Sequence, residues 1–455
     1  MRGVGLSSED FHAALSAACG AQPATTAPQH FALAVSGGGD SMGLLALAAQ
    51  LSQSSGASSN KVMGKAAPRF SVLSVDHGLR ASAAAEIDAV AAACAKLGLA
   101  HHRLVADAVL GPQDVQQQAR RLRYRLMAEW CAANGATALI TAHHAQDQAE
   151  TVLMRLARGS GIDGLSGMAR RQTIETEAGG LTILRPLLSC QPQALHQAAA
   201  ACGLPIAYDP SNEDARFERV RWRRALPRLA DCGLDVAALG RLADDMRVIR
   251  RTLDGAVLQW LEAHADWHEY GVLVLPRNAY GALSTDMQRR LMRAFVGHFA
   301  GRPHPPKRQA LARFAARPLS AKTGSATLAG VRMHWRRDTI FLGREAAATP
   351  RKALSQSGHN AAQLFDNRFI VEAATKTPHG LYVAGLGVDG VKQLRDAGAV
   401  FDKTVPACYH AGLVGIFDAE ALLSCPIVQA GTDFSARSVY SSDLFRDIMS
   451  HGQDW

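Results

Sequence analysis

A glycine-rich turn between an apolar strand and an apolar helix constrains this chain more than any other feature. The turn follows the apolar run 31–35 and precedes the apolar run 42–47. Its residues are Ser36, Gly37, Gly38, Gly39, Asp40 and Ser41. Consecutive glycines let backbone N–H groups approach an anion closely, because no Cβ stands in the way. The helix start adds unpaired N–H donors and the positive end of its dipole. The turn therefore predicts a phosphate-binding loop.

Two alternatives to this interpretation can be weighed from the residues. The turn has no lysine and does not match G-x-x-x-x-G-K-S/T, so it is not the P-loop of enzymes that hydrolyse a γ-phosphate. A purely structural turn, with Asp40 or Ser41 as the N-cap of the helix, would use the same residue types. The structural alternative stays open at this point.

Alternating strand-like and helix-like segments follow the turn over the first half of the chain. In chain order they are 70–75, about 83–97, 101–105, about 113–134 and 138–142. Repeated βα units joined by short connections predict an α/β fold with a doubly wound parallel sheet. Ligands of such a sheet bind beyond the carboxyl ends of its strands, where Ser36, Asp76 and His143 emerge. The Ser-rich segment 52–60 predicts a loop.

A second group of polar residues follows the strand-like segment 138–142. Asp147 and Glu150 are three residues apart at a predicted helix start, so they share a face near the positive end of the helix dipole. Asp-x-x-Glu also matches a capping box, which would explain both carboxylates structurally. The functional alternative is that they hold Mg²⁺ or bind a cationic substrate. The adjacent His143 and His144 lack the i, i+4 spacing of a helical metal pair.

Positive charge is concentrated in one short segment of the chain. The formal net charge is +9, and the segment 216–228 contains Glu218 as its only acidic residue. Its arginines are Arg216, Arg219, Arg221, Arg223, Arg224 and Arg228. Guanidinium groups match phosphate oxygens and stack on bases. The segment therefore favours an RNA or nucleotide contact over a solvated helix face.

Length and composition indicate an intracellular, multidomain enzyme. At 455 residues about three domains are expected, and no apolar run reaches the ~18 residues of a transmembrane helix. The first residues do not resemble a signal peptide. The 8 cysteines include no C-x-x-C pair, so neither a zinc ribbon nor an iron–sulfur cluster is indicated. We therefore expect a cytoplasmic protein with no membrane partner.

The glycine-rich turn resembles the PP-loop, S-G-G-x-D-S, of ATP pyrophosphatases, which cleave ATP between its α- and β-phosphates. An ordered set of motifs is similar to that of the tRNA(Ile)-lysidine synthetase family over about residues 30–230. The set consists of S-G-G-G-D-S at 36–41, H-H-A-Q-D-Q-A-E-T at 143–151, R-G-S-G-x-x-G-L at 158–165, R-P-L-L at 185–188 and D-P-S-N at 209–212.

This resemblance implies a reaction and its partners. Members of the family attach L-lysine to C2 of the wobble cytidine in the CAU anticodon of an isoleucine tRNA. The resemblance implies ATP as co-substrate, Mg²⁺ as cofactor and an adenylated cytidine as intermediate, with AMP and pyrophosphate released. The sequence makes no prediction of the oligomeric state.

The resemblance also implies roles for individual residues. The loop 36–41 would bind ATP, and Asp40 would in addition be a Mg²⁺ ligand. The residues implied in catalysis are Asp40, Asp147, Glu150 and Arg223. Contacts to phosphate or RNA are expected from Arg120, Arg123, Arg158 and Arg219. The chain departs from the family pattern at Val220, where Asn is usual, and at Trp222, where a smaller aliphatic residue is usual.

Three domains are predicted along the chain. They are a PP-loop catalytic domain over 1–230, a mainly helical, tRNA-contacting domain over 231–345, and a small mixed C-terminal domain over 346–455 that is expected to bind tRNA. Apolar residues at helical spacing predict helices over 242–260 and 283–299. Strands are predicted over 326–331, 339–342 and 365–371.

Two other functions stay open. One is another PP-loop enzyme that modifies tRNA or amidates a substrate, although a tRNA thiolase of this type usually needs C-x-x-C cysteines or a persulfide carrier. The other is a catalytically inactive PP-loop protein that only binds RNA. The intact polar residues argue against the second, namely Ser36, Asp40, Ser41, Asp147 and Glu150.

Overall fold

The computed structural model divides the chain into two compact units, Met1–Arg250 and Arg251–Gln453. The structure describes residues 6–20, 29–57, 68–76, 82–106, 115–176, 179–207, 213–300, 306–354, 362–373, 380–428 and 433–439. The division falls within one long helix, α9 (Val236–His264). The domain boundaries that we expect near residues 230 and 345 stay predictions.

A six-stranded sheet forms the centre of the first unit, as far as its residues are described, in the order β3-β2-β1-β4-β6-β5. Its strands are β1 (His30–Ala34), β2 (Arg69–Asp76), β3 (Ala100–Val105), β4 (Ala138–Ile140), β5 (Arg171–Thr176) and β6 (Gly179–Leu184). All neighbouring pairs are parallel except the β5–β6 hairpin at the edge. The hairpin was not expected from the sequence.

The helices of the first unit that precede α9 include those that cover both faces of this sheet. In chain order they are α1 (Ser8–Cys19), α2 (Gly39–Ala57), α3 (Ser82–Leu97), α4 (Val115–Asn134), α5 (Ala145–Ala157), α6 (Ile162–Leu165), α7 (Pro192–Ala201) and α8 (Glu218–Asp231). Alternate residues of β1 point to opposite faces. Phe31 and Leu33 pack in a core with α1, α2, α3 and α7, whereas Ala32 packs in a second core with α4. This arrangement confirms the doubly wound α/β fold.

Two local predictions for the first unit differ in their outcome. The predicted loop 52–60 is wrong over its first part, because α2 continues to Ala57. The hydroxyl of Ser54 donates to the carbonyl of Leu51 at 3.0 Å, so this serine is accommodated in the last turns of the helix. The predicted D-P-S-N motif at 209–212 lies outside the described residues.

The second unit begins with helices around an antiparallel sheet. Its helices after α9 are α10 (Arg277–Ala282), α11 (Thr285–Ala300) and α12 (Arg308–Ser320). The described strands form a five-stranded sheet, β7-β8-β11-β10-β9, from β7 (Asp266–His268), β8 (Val272–Pro276), β9 (Thr323–Leu328), β10 (Val331–Arg336) and β11 (Thr339–Arg344). The helix predicted over 242–260 is confirmed as part of α9, and the helix predicted over 283–299 is confirmed from Thr285 onward, where α11 begins.

Two smaller antiparallel sheets follow in the C-terminal part of this unit. One is β12-β15-β16-β17, from β12 (Lys352–Ala353), β15 (Leu381–Gly385), β16 (Val414–Asp418) and β17 (Ala421–Ser424). The other is β13-β14-β18, from β13 (Ala362–Phe365), β14 (Phe369–Ala373) and β18 (Phe434–Ser438). The helix α13 (Gly387–Asp396) completes this part of the fold. No helix among the described residues is long and apolar enough to cross a membrane.

Two of the predicted strands are interrupted by tight turns. The segment 326–331 is divided between β9 and β10 by Ala329 and Gly330, which have φ values of 51° and 83°. The segment 365–371 is divided between β13 and β14 by Asp366 and Asn367, which have φ values of 52° and 53°. A left-handed backbone conformation ends a strand and lets the chain reverse. Each of these two segments is therefore a hairpin turn between two strands, and the prediction of one continuous strand is wrong. The strand over 339–342 is confirmed within β11.

Helices α2 and α7 approach each other closely at a glycine. A Cβ on Gly43 of α2 would lie 2.4 Å from the carbonyl oxygen of Leu195 in α7, closer than real Cβ contacts come. The obstacle is backbone, so it cannot move aside as a flexible side chain would. The absence of a side chain at Gly43 therefore sets the distance between the two helices.

We expect Gly43→Ala to lower the free energy of unfolding of the first unit by about 1–3 kcal/mol, because overpacking forces α7 to shift. The matched control is Gly240→Ala in α9, where no atom lies within 4 Å of the added Cβ. At that position alanine should stabilise the helix by up to ~1 kcal/mol. Thermal unfolding midpoints of the two variants should move in opposite directions. Equal midpoints would contradict the close packing of α2 on α7.

Candidate active site

The residues implied in catalysis meet at the carboxyl ends of two neighbouring parallel strands. The loop 36–41 follows β1, and Thr141 to His144 follow β4, which pairs with β1. The helices α2 and α5 begin directly after these two segments. The crevice expected from the strand ends is therefore formed by two helix N-termini, flanked by α7 and α8.

The glycine-rich loop is held in shape by its two serines. The Ser36 amide donates to Ser41 Oγ at 3.2 Å, and Ser41 Oγ donates to the carbonyl of Gly38 at 2.9 Å. Gly37 has φ 89°, a conformation that favours glycine. Because α2 begins at Gly39, Asp40 and Ser41 lie within its first turn, and neither is the N-cap. The first amides of the helix have no intrahelical acceptor and can serve an anion.

Asp40 is held by two histidines at the base of the loop. His196 Nε2 of α7 lies 3.0 Å from Asp40 Oδ1, and His144 Nε2 lies 3.4 Å from Oδ2. Burial raises the pKa of the Asp40 carboxyl, but the hydrogen bonds and charges of the two histidines outweigh burial and lower that pKa overall. Asp40 is therefore ionised at neutral pH, and its side chain is 44% exposed to the crevice.

The capping box of α5 lies one turn earlier than the sequence suggested. His144 is the N-cap: its Nδ1 accepts from the Asp147 amide at 3.4 Å, and Asp147 Oδ2 accepts from the His144 amide at 3.0 Å. The box is therefore His144 with Asp147, and Glu150 takes no part in it. Capping therefore accounts for Asp147 alone. The alternative that a capping box explains both Asp147 and Glu150 is wrong.

Glu150 instead joins α5 to α8 through two arginines. Its carboxylate is fully buried, and its two oxygens accept from Arg219 Nε at 2.6 Å and Arg223 Nε at 2.7 Å. Arg219 also reaches Asp147 Oδ1 at 2.9 Å. A buried carboxylate needs such partners, because an unpaired charge in a protein interior is costly. Both arginine side chains remain 39% exposed, so the pair presents positive charge to the crevice.

His143 lies in a cationic environment beside this cluster. Burial, followed by the charges of nearby arginines, holds the pKa of His143 well below its usual value. Those arginines are Arg185, Arg219, Arg120 and Arg123. The His143 Nδ1 lies 2.7 Å from Thr141 Oγ1, and the ring is neutral at physiological pH. The expected contact residues Arg120 and Arg123 of α4 are thus brought to the same side of the sheet as Arg219.

The expected contact residue Arg158 is positioned at the end of α5 and pairs with Glu218, the first residue of α8. The glycine-rich segment after it is anchored to α5 by two side chains. Arg155 Nη1 donates to the carbonyls of Gly164 and Gly167 at 3.0 and 2.9 Å. The buried Gln148 amide both donates to and accepts from the Met168 backbone, at 3.1 and 2.7 Å. One helix therefore carries the carboxylates and also shapes the loop beside them.

The arginines of the segment 216–228 divide into two groups. Arg219 and Arg223 point to Glu150, whereas others are held locally, such as Arg216 by Asp214 and Arg224 by the Glu213 carbonyl. Val220, at the position that departs from the family pattern, is buried. Trp222, the other departure, packs against the apolar cluster between α5, α8 and α9, where it fills core space.

Sequence reasoning missed two polar residues of this region. His196 contacts Asp40 from α7, which carries no motif, and Arg185 lies buried beside the crevice at the end of β6. The motif R-P-L-L included Arg185, but nothing in it indicated burial. Among the described residues, no group of three or more His, Cys, Asp or Glu side chains is arranged to hold a metal ion.

A family model described as the PP-loop domain matches residues 11–229. A tRNA(Ile)-lysidine synthase of Ruegeria pomeroyi is 37% identical over 307 residues, 68% of this chain and 68% of the relative. One of Hyphomonas neptunium is 35% identical over 341 residues, 74% of this chain and 88% of the relative.

Two further similarities cover less of the chain or are weaker. A tRNA(Ile)-lysidine synthase of Methylobacterium nodulans is 43% identical over 238 residues, 51% of this chain and 64% of the relative. A solved U34-tRNA thiolase from Methanococcus maripaludis has a TM-score of 0.42 and 14% identity, covering 52% of this chain and 77% of that chain. The sequence relatives decide the assignment: this chain belongs to the tRNA(Ile)-lysidine synthase family.

Proposed function

We propose that this protein ligates L-lysine to C2 of the wobble cytidine in the CAU anticodon of an isoleucine tRNA, using ATP and releasing AMP and pyrophosphate. Membership in the family supports the reaction. One structural observation carries the proposal: the loop 36–41 with Asp40 and the Arg219–Arg223 pair lie in the same crevice. The tRNA substrate makes the cytoplasm the expected location.

The loop 36–41 binds the ATP phosphates in this proposal. Its backbone N–H groups and the first turn of α2 face the departing pyrophosphate, and they stabilise its charge without reorganising during the reaction. Ser36 and Ser41 keep the loop closed through their mutual hydrogen bonds. Their hydroxyl groups are thus structural supports of the phosphate site.

Asp40 is the residue that would hold Mg²⁺. It is ionised, and it is the most exposed of the three carboxylates, at 44% against 13% for Asp147 and 0% for Glu150. One carboxylate fits Mg²⁺, which is usually bound by one or two carboxylates together with substrate phosphates and waters. When bound there, the ion would neutralise charge on the phosphates.

Arg219 and Arg223 are proposed to neutralise the α-phosphate during adenylation. Cytidine O2 attacks the α-phosphorus, the bond from that phosphorus to the bridging oxygen breaks, and pyrophosphate leaves. Guanidinium groups suit this role, because they remain charged and bind phosphate oxygens in a fixed geometry. Glu150 holds both guanidiniums in place from the buried side.

The second step joins lysine to the activated base. The lysine ε-amine attacks C2, the bond from C2 to the adenylated oxygen breaks, and AMP leaves with that oxygen. Asp147 and Glu150 are both candidates for binding the ammonium group and accepting its proton. We favour Asp147, because its side chain is 13% exposed to the crevice whereas that of Glu150 is fully buried, and because one of its two oxygens accepts from a backbone amide while Glu150 holds two arginines.

The RNA contacts are proposed from the basic residues around the crevice and from the regions beyond residue 230. Arg120 and Arg123 lie beside His143, and Arg158 is exposed at the end of α5. The parts over 231–345 and 346–455 are proposed to grip the tRNA. Phosphate contacts of this kind position the RNA without reading its sequence.

The proposed reaction is tested by ATP-dependent incorporation of labelled lysine into a tRNA transcript with a CAU anticodon. We expect incorporation with one pyrophosphate released per lysine. A transcript that differs only in carrying GAU should accept no lysine, because its wobble base is not cytidine. Pyrophosphate release without lysine incorporation would favour another PP-loop enzyme, and no release at all would favour an inactive RNA-binding protein.

We expect Asp40→Asn to lower pyrophosphate release by about a hundredfold or more, because the neutral amide would hold Mg²⁺ poorly and the developing negative charge would lose one electrostatic contact. Affinity for tRNA should stay within about twofold, since the loop binds phosphates of ATP. Asp88→Asn, which changes a 74% exposed carboxylate on α3, is the control and should retain activity. Adenylation at the normal rate in Asp40→Asn would exclude the role given to this residue.

Glu150→Gln should lower the free energy of unfolding by about 2–3 kcal/mol, which is somewhat less than the ~3–5 kcal/mol of a fully buried broken pair, because both arginines are partly exposed. Adenylation should also fall, since Arg219 and Arg223 lose their anchor. Glu218→Gln is the matched control, because it removes an exposed ion pair with Arg158 and should cost less than ~1 kcal/mol. Similar melting temperatures for the two variants would contradict this account.

Binding of tRNA to the full protein should weaken steeply with salt, because each neutralised phosphate releases condensed counterions. A plot of log affinity against log salt should lose about one unit of slope in Arg120→Gln if Arg120 contacts a phosphate. An unchanged slope in this variant would show that Arg120 does not touch the RNA. A flat salt response of the unaltered protein would contradict phosphate-mediated binding altogether.

A further inference from the structure

His196 is a polar residue of the crevice that belongs to none of the motifs. It is positioned on α7, and its side chain is 53% exposed. Its Nε2 lies 3.0 Å from Asp40 Oδ1. A carboxylate can only accept a hydrogen bond, so the ring nitrogen that faces Asp40 carries the proton.

The imidazole of His196 lies directly over Gly39 where it contacts Asp40. A Cβ on Gly39 would lie 2.7 Å from His196 Nε2 and 2.8 Å from Cδ2, distances that real Cβ atoms essentially never show. The backbone conformation gives no reason for glycine at this position. Gly39 lies in the first turn of α2 and is not among the glycines with positive φ. Alanine would favour the helix more than glycine does. The missing side chain therefore leaves room for the ring of His196, in addition to letting the loop amides approach an anion.

The two histidines, His144 and His196, contact different oxygens of Asp40. They are fixed in place by different helices, α5 and α7. His144 is buried and fixed as the N-cap of α5, where it lies 3.4 Å from Oδ2. His196 contacts Oδ1 from the other side, and α7 is fixed against α2 by the close approach at Gly43. Contacts to both oxygens fix the plane of the carboxylate, which one contact alone would leave free to rotate.

We propose that His196 is a positioning residue that orients Asp40 toward the Mg²⁺ ion that would accompany the phosphates of ATP, and that the missing side chain at Gly39 leaves room for the imidazole to reach this carboxylate. The inference rests on the proposed function, because it takes ATP as the ligand of the loop. It adds a residue of α7 to a site otherwise made by the loop, α5 and α8.

The first test measures ATP binding by calorimetry in the presence of Mg²⁺, without tRNA or lysine. His196→Ala should weaken binding by about tenfold, the size expected for losing one hydrogen bond to a charged group. His196→Gln keeps an N–H donor of similar reach and should restore binding to within about twofold of the unaltered protein. In steady-state pyrophosphate release, the KM for ATP should rise in His196→Ala more than kcat falls.

The control is His12→Ala, which removes an exposed histidine of α1 and should leave ATP binding unchanged. Binding by His196→Ala within twofold of the unaltered protein would overturn the proposal. Failure of glutamine to rescue would overturn it as well. If the unaltered protein binds ATP but does not incorporate lysine, the proposed function fails while the role of His196 in ATP binding survives.

A second test uses thermal unfolding and needs no ligand. Gly39→Ala should lower the melting temperature of the unaltered chain, because the added methyl displaces the imidazole and breaks its hydrogen bond to Asp40. In the His196→Ala background the same change should be neutral or stabilising, since the obstacle is gone and alanine favours helix. Equal effects of Gly39→Ala in the two backgrounds would show that His196 does not occupy the space above Gly39, and would overturn the proposal.

Discussion

The buried carboxylate of Glu150 is the contact on which the arrangement of the crevice depends. It lies at the centre of α5, fully excluded from water, and its two oxygens draw Arg219 and Arg223 of α8 to the same point. The cost of burying the carboxylate is offset only while both guanidiniums stay in place. The position of α8 relative to the phosphate loop thus depends on electrostatics as well as on the apolar packing of α5, α8 and α9.

Helix α5 serves two parts of the site at once. Its first turns carry Asp147 and Glu150, and the side chains of Gln148 and Arg155 bind the backbone of the glycine-rich segment that follows. A small displacement of this helix would therefore alter the arginine pair and the loop together. Many polar groups around α5 have hydrogen-bond partners. Displacing the helix would therefore be costly, because each broken contact would leave a buried polar atom without a partner.

The sequence was informative wherever a local pattern determines the structure. The strand ends, the loop 36–41 and the parallel sheet follow from alternating segments and from glycine chemistry, and the structure confirms them. The capping box was assigned one turn too late, because His144 is an uncommon N-cap and its role depends on its ring geometry. His196 could not be found, since its contact with Asp40 joins residues 156 positions apart. Interrupted strands such as 326–331 were missed because Ala329 adopts a backbone conformation unusual for alanine.

The close approach of α2 and α7 has a consequence for how related sequences can vary. Gly39 and Gly43 are one helical turn apart and face consecutive residues of α7, Leu195 and His196. The loop pattern S-G-G-x-D-S leaves position 39 open to any residue. In a family member with a side chain there, the residue at position 196 is smaller, α7 is more distant, or the ring at position 196 turns away from Asp40. A side chain at position 39 thus limits which residues of α7 can reach this carboxylate, although the two positions are separated by most of the catalytic domain.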